Sequence, residues 1–199
     1  MQIETTRLIL KPIKLSDAQD IFEYAKDPDT GPRAGFKPHE TIEDTKFIIN
    51  YWLSPESTEE QFVVVLKEEN KVIGTSGITH LNKHLKNSKN HIAVKMVSEG
   101  KNVWEIGLTI ARVHWGKGIA TEVIGAIMDF LFKVKNADIV MATHSDQNIG
   151  SEKAQIKCGL KELGEYDCGH TWYNTESSIH IVRAKTRNEW LNEKEKIKN

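Results

Sequence analysis

Residues 105–124 read EIGLTIARVHWGKGIATEVI. The opening run EIGLTI is apolar and strand-like. From Ile119 onward the apolar residues take helical spacing, with Ile119, Val123, Ile127 and Leu131 on one i, i+4 stripe. Between strand and helix stands WGKGIAT (115–121), which has two glycines and a lysine and no acidic side chain. A helix N-terminus offers unpaired amides and a partial positive charge. Glycines let the chain turn tightly, so that several of those amides face one anion. Gly116 and Gly118 serve that geometry, and Lys117 adds charge at the rim. An ordinary strand-to-helix turn needs nothing more than this, so the glycines alone name no ligand. The stretch is not the G-x-x-x-x-G-K-[ST] of a nucleotide-triphosphate loop. Nor is it a G-x-G-x-x-G dinucleotide turn with its later acidic residue.

Upstream, QFVVVLKEENKVIGTSGITHL (61–81) has β-branched runs on either side of Glu68-Glu69-Asn70, which predicts a hairpin. Residues 2–13 predict an opening strand that ends at Pro12. SDAQDIFEYAKD (16–27) begins with Ser16 or Asp17 as N-cap and sets Ala18, Ile21, Phe22 and Ala25 on one helical face. The Gly- and Pro-rich stretch PDTGPRAGFKPHE (28–40) predicts a loop. Thr41 to Leu53 predicts a second helix, with Phe47, Ile48, Tyr51 and Trp52 inward. The polar residues 82–100 read either as an insertion or as a further strand at His91–Met96. Downstream, DIVMATHS (138–145) predicts a strand, followed by a helix from Asn148 to Cys158. Strands near Leu160–Tyr166 and Ser178–Ala184 and a charged, frayed C-terminal helix complete the chain. Antiparallel pieces followed by a strand–helix–strand crossover predict one mixed α/β domain over 1–199, with a ligand where the strand order changes.

Composition narrows the classes. The chain has 199 residues, 39% hydrophobic and 28% charged, enough apolar material for a core. The formal net charge of −1 lacks the basic excess of a nucleic-acid binder. The two cysteines, Cys158 and Cys168, are too few for a disulfide framework and read as free thiols. No run approaches the roughly 20 apolar residues of a membrane span, and MQIETTRLIL lacks the pattern of a signal peptide. The expectation is a cytoplasmic protein without membrane or nucleic-acid contact.

EIGLTIARVHWGKGIATEVI resembles motif A of the GNAT acetyltransferases, whose Q/R-x-x-G-x-G/A turn wraps the pyrophosphate of coenzyme A. Trp115 stands in the Gln/Arg place, a departure that nevertheless resembles the RimJ/RimL branch, which acetylates N-terminal amines of ribosomal proteins. TTRLILKPIKLSDAQDIFEY is similar to that branch's opening strand and helix, and GPRAGFKPH to a loop of its members. SDQNIGSEKAQIKCGLKELG resembles its N-x-x-S-x-x-x-x-x-K-x-G-F segment, with Asn148, Ser151, Lys157 and Gly159 in place and Leu160 where the aromatic stands. The resemblance covers nearly the whole chain except 82–100. It implies the GNAT fold, a largely antiparallel central sheet with helices on both faces, and acetyl-CoA as cosubstrate; no metal-ligand spacing such as H-x-x-x-H stands near acidic partners, so no metal is expected.

The same resemblance places the cosubstrate on Leu108, Thr109 and Ile110, on the turn Trp115, Gly116, Lys117, Gly118, Ile119, Ala120 and Thr121, and on Asn148 and Ser151. A backbone amide near Leu108–Ile110 would polarise the thioester carbonyl. Acyl transfer from a thioester also needs a free amine and a proton for the departing thiolate. An α-amine, with pKa near 7.7–8.0, is roughly one-tenth neutral at pH 7, whereas a lysine near 10.4 is almost wholly charged. An N-terminal acceptor therefore needs less help. Glu105 is the candidate base, against the alternative of an exposed strand glutamate. Ser151 is the candidate donor to the thiolate, against that of a serine bonding helix backbone. Asn148 either orients the pantetheine arm or caps the helix. His39, His144 and His170 are bases by type only. Phe36, Trp172 and Tyr173 are candidates for the acceptor pocket, against the reading as core aromatics. The expected acceptor is a primary amine, with a ribosomal-protein N-terminus as one example. A drug- or polyamine-acetylating enzyme and a non-catalytic coenzyme A-binding protein are the alternatives, and the chain acts as monomer or homodimer.

Overall fold

The computed structural model describes residues 2–85, 88–169 and 178–198. The elements in chain order are β1 (Ile3–Glu4), β2 (Leu8–Pro12), α1 (Ala18–Ala25), α2 (Thr30–Ala34), α3 (Ile42–Leu53), β3 (Glu59–Leu66) and β4 (Lys71–His80). Then come α4 (Leu81–His84), α5 (His91–Ser98), β5 (Val103–Ile110), α6 (Ile119–Lys133), β6 (Ile139–Ser145), α7 (Ile149–Lys157), β7 (Lys161–Asp167), β8 (Ile179–Thr186) and α8 (Arg187–Lys198). Among the described residues, eight strands form one sheet in the order β1-β2-β3-β4-β5-β6-β8-β7. Every neighbouring pair there is antiparallel except β5–β6.

That parallel pair organises the molecule. β5 and β6 are in register only at Val103 with Ile139, Trp104 with Val140 and Glu105 with Met141. Below this stretch they are tied together: Asp138 accepts from the amide of Asn102 at 2.8 Å, and the amide of Asp138 donates back to the Asn102 carbonyl at 2.8 Å. Above it β5 turns into α6 and β6 into α7, so the strands separate toward their C-terminal ends. The strand–α6–strand crossover expected from the spacing is this unit.

Alternation along the strands divides the apolar residues between two faces. On one face Leu8, Leu10, Phe62, Val64, Ile73, Ile106 and Val140 pack beneath Ile119, Val123, Ile127 and Leu131 of α6 and Trp190 of α8. On the other, α1 and α3 cover Val63, Val65 and Val72, while α4 and α5 cover Val103, Met141, Val182 and Ala184. Between these two groups the sheet is uncovered at Gly107, where an added Cβ would meet nothing within 4 Å.

Three expectations are corrected. Residues 28–40 contain a helical turn, α2, ended by Gly35 at φ 87°. Residues 91–98 form α5 rather than a strand: the buried side chain of Asn90 accepts from the Ala93 amide at 3.0 Å, and Ile92, Ala93, Met96 and Val97 pack inward at helical spacing. On α3 the buried positions are Thr45 and Ile49, with Trp52 partly covered; Phe47 and Tyr51 face solvent. Asp17 is the N-cap of α1, one of the two residues expected there, but its side chain bonds backward, accepting from the Lys14 amide at 2.8 Å, and makes no cap bond to α1.

Candidate active site

A 3-10 turn, Arg112–His114, leads from the end of β5 to the glycine turn. The Trp115 indole donates to the Ile110 carbonyl at 2.6 Å and pins the turn to the strand it leaves. Gly116 and Gly118 both adopt left-handed backbone, φ 73° and 75°, which a side chain would strain. Space over Gly116 is open, since a Cβ there would meet nothing within 4 Å. Gly118 is the N-cap of α6 and brings no capping side chain, so the helix's first amides stay available. Ile119 is buried in the core, which leaves only its main chain to serve a ligand; Ala120 and Thr121 are half-buried.

Glu122, in the first turn of α6, would oppose an anion there, but it is turned away and paired. Its carboxylate accepts from Thr5 Oγ1 at 2.6 Å, the Arg7 amide at 3.0 Å and Arg7 Nε at 2.7 Å. Burial alone would raise its carboxyl; the bonds from Thr5 and Arg7 outweigh that and hold it below the ordinary range. Arg7 also donates to the Lys117 carbonyl at 2.9 Å, bracing the turn from behind.

Glu105 occupies the last paired position before β5 and β6 part. It is half-buried, and its Oε1 accepts from the Thr143 hydroxyl at 3.0 Å. Burial raises its carboxyl above the usual range, the Thr143 bond lowers it, and the Glu59 charge raises it again. Glu59 lies in the same cross-sheet row, through Thr79 of β4, and carries a bond from the Gln61 side chain. The Tyr166 phenol faces the same place; burial first and then the Glu105 charge push it up to about 12. Next to Glu105 on this face is bare Gly107, whose carbonyl accepts from Ser76 Oγ at 2.7 Å.

Across the opening, α7 starts at Asn148, whose side chain accepts from the Ser151 amide at 3.1 Å. The same side chain donates to the Arg33 carbonyl at 3.0 Å. Arg33 in turn sets its guanidinium 5.4 Å from the Trp115 ring centroid, and Arg112 just past β5 pairs with Asp29. α2 therefore bridges the glycine turn and α7. Ser151 is half-buried, and its Oγ accepts from Gln155 Nε2 at 3.0 Å.

Contacts thus link Glu105 through Thr143 and Gln155 to Ser151, and Asn148 through Arg33 to Trp115, while along β5 Leu108 and Thr109 are half-buried and Ile110 is buried. Phe36 is partly packed into the α1–α3 core, with its ring tilted against His39 at 5.4 Å. Trp172, Tyr173 and His170 lie outside the described residues. His39 is engaged with Thr45 Oγ1 at 2.8 Å, and buried His144 bonds its neighbour's carbonyl. Sequence reading missed Thr143, Gln155, Tyr166, Glu59 and Arg33. For Thr143 the one signal was its place in a strand following the crossover helix.

A family model described as an acetyltransferase (GNAT) domain matches residues 7–161. A Bacillus licheniformis protein, uncharacterized N-acetyltransferase p20, is 28% identical over 162 residues, spanning 80% of this chain and 82% of the relative. The ribosomal-protein-S5-alanine acetyltransferase of Vibrio fischeri superposes with a TM-score of 0.70 at 23% identity, covering 96% of this chain and 98% of that one. Spermidine N-acetyltransferase of Vibrio cholerae, solved with CoA and spermine, gives 0.70 at 18% identity over 94% of this chain and 100% of its own. At these identities the two structures share the fold.

Proposed function

The chain belongs to the GNAT acetyltransferase family, and on that premise we propose that it transfers acetyl from acetyl-CoA to the α-amine of a peptide or protein N-terminus. The carrying observation is Glu105, a half-buried carboxylate lifted by burial and held by Thr143 at the mouth of the β5/β6 opening. The open glycine turn, backed by Arg7 and flanked by Arg33 and Lys117, fits the diphosphate of coenzyme A. Glu105 takes the proton shed as the amine nitrogen bonds the thioester carbon. The carbon–sulfur bond breaks, Ser151 gives its proton to the departing thiolate, and solvent restores it. A modest base suits an α-amine, which is already roughly one-tenth neutral at pH 7.

A second reading rests on the row Glu59–Thr79–Glu105. Two carboxylates in one cross-strand row also suit a small polycation such as spermidine, on which a structural neighbour acts. Thioester turnover should be measured with Ala- and Ser-initiated peptides, a lysine side-chain analogue and spermidine. The expected order places the peptides first. Spermidine outrunning every peptide replaces the first reading with the second.

A further inference from the structure

Gln155 is only 2% exposed, yet its Oε1 is buried without a partner among the described residues. An aliphatic side chain would avoid that loss, so the amide's other end calls for an explanation. Nε2 faces two oxygens, Ser151 Oγ at 3.0 Å and the Thr143 carbonyl at 3.4 Å. A carbonyl can only accept. Reversing the amide would set Oε1 against the Thr143 oxygen and leave Nε2 with no acceptor, so the Thr143 carbonyl decides which end of Gln155 meets the serine.

The consequence falls on Ser151. A hydroxyl has one proton to give and lone pairs to receive. With Gln155 donating to Oγ, the serine's proton must point elsewhere, and no described group receives it. Thr143, meanwhile, donates its own hydroxyl to Glu105 at 3.0 Å. One residue of β6 therefore steadies both sides of the opening, Glu105 directly and Ser151 through Gln155.

We propose that Gln155, with its amide polarity set by the Thr143 carbonyl, is a positioning residue that turns the Ser151 proton toward the leaving thiolate. This rests on the reading of Ser151 as the proton donor. A positioned proton donor contributes roughly 10²–10⁴-fold, and Gln155→Met, similar in length but without a donor, removes at least about tenfold of that in kcat. The KM for acetyl-CoA stays unchanged. Gln155→Glu keeps the volume but presents an acceptor to the serine, so it loses as much.

The deciding measurement is a double-mutant cycle of Gln155→Met with Ser151→Ala, read as kcat at saturating acetyl-CoA. The double variant should be no slower than Ser151→Ala alone. Losses that multiply, or full kcat in Gln155→Met or Gln155→Glu, overturn the role of Gln155 and leave Ser151 standing. Wild-type kcat in Ser151→Ala removes the donor assignment itself, and Gln155's role with it.

Discussion

Glu105 holds a charge where the fold resists one. Its carboxyl is raised chiefly by burial, so the native protein binds that proton more tightly than the unfolded chain does. The ionised form therefore costs stability. The penalty is absent below the unfolded value of 4.5, grows as pH rises through the folded pKa, and is complete above it. Glu105→Gln removes the penalty while still accepting from Thr143. The variant should melt higher than wild type at about pH 8 and lose that advantage at about pH 4. Its turnover should drop by roughly 10²–10⁴-fold, with the deficit narrowing as pH approaches the acceptor amine's own pKa. Thermal melts and pH–rate profiles on one preparation check both. The place of Glu105 in the strand was readable because that strand leads to a recognisable turn. Thr143, Gln155 and Tyr166 were not, because each reaches the site from a different element and no local spacing marks the meeting.

At the level of elements, the short helix α2 shows how a Pro- and Gly-rich stretch can still do structural work. It is held by partners far along the chain, Asn148 and Trp115, rather than by its own five residues. Asn148 has two jobs, capping α7 with its oxygen and tying α2 with its nitrogen. Asn148→Ala should lose both, costing about 0.5–2 kcal/mol of stability and raising the KM for acetyl-CoA. Asn148→Asp keeps the cap but cannot donate to Arg33, so its melt should stay near wild type while the KM still rises. A normal KM in the Asp variant would mean that α2 needs no tether. The hairpin, α6 and the crossover were legible because their apolar periods are long. α5 was not: its inward residues occupy only two turns, and the signal that starts it is a single buried Asn90. The inward face of α3 was misjudged because its aromatics outweigh Ile49 in bulk, although Phe47 and Tyr51 lie in solvent.

Seen as a whole, the molecule is a sheet joined at its middle by three residue pairs and held on one face by α6. The long helix contacts strands on both sides of the opening, so the two halves depend on it for a common core. Ile127 is fully buried there, and Ile127→Ala should cost about 2–5 kcal/mol. Denaturant unfolding followed by tryptophan fluorescence and by circular dichroism should shift together. Separate transitions would mean that the halves unfold independently. The placement of α6 also governs how the protein is made. Strands β2 to β5 pair with neighbours in sequence and can assemble as the nascent chain leaves the ribosome. Their inner face, with Leu8, Leu10, Val64, Ile73 and Ile106, has no cover until Lys133 has been translated. At roughly 5–20 residues per second that is a delay of about one to five seconds after Ile110. During that interval a greasy half-sheet is displayed in the cell, and a translational pause within residues 111–133 would lengthen the period in which a chaperone must shield it.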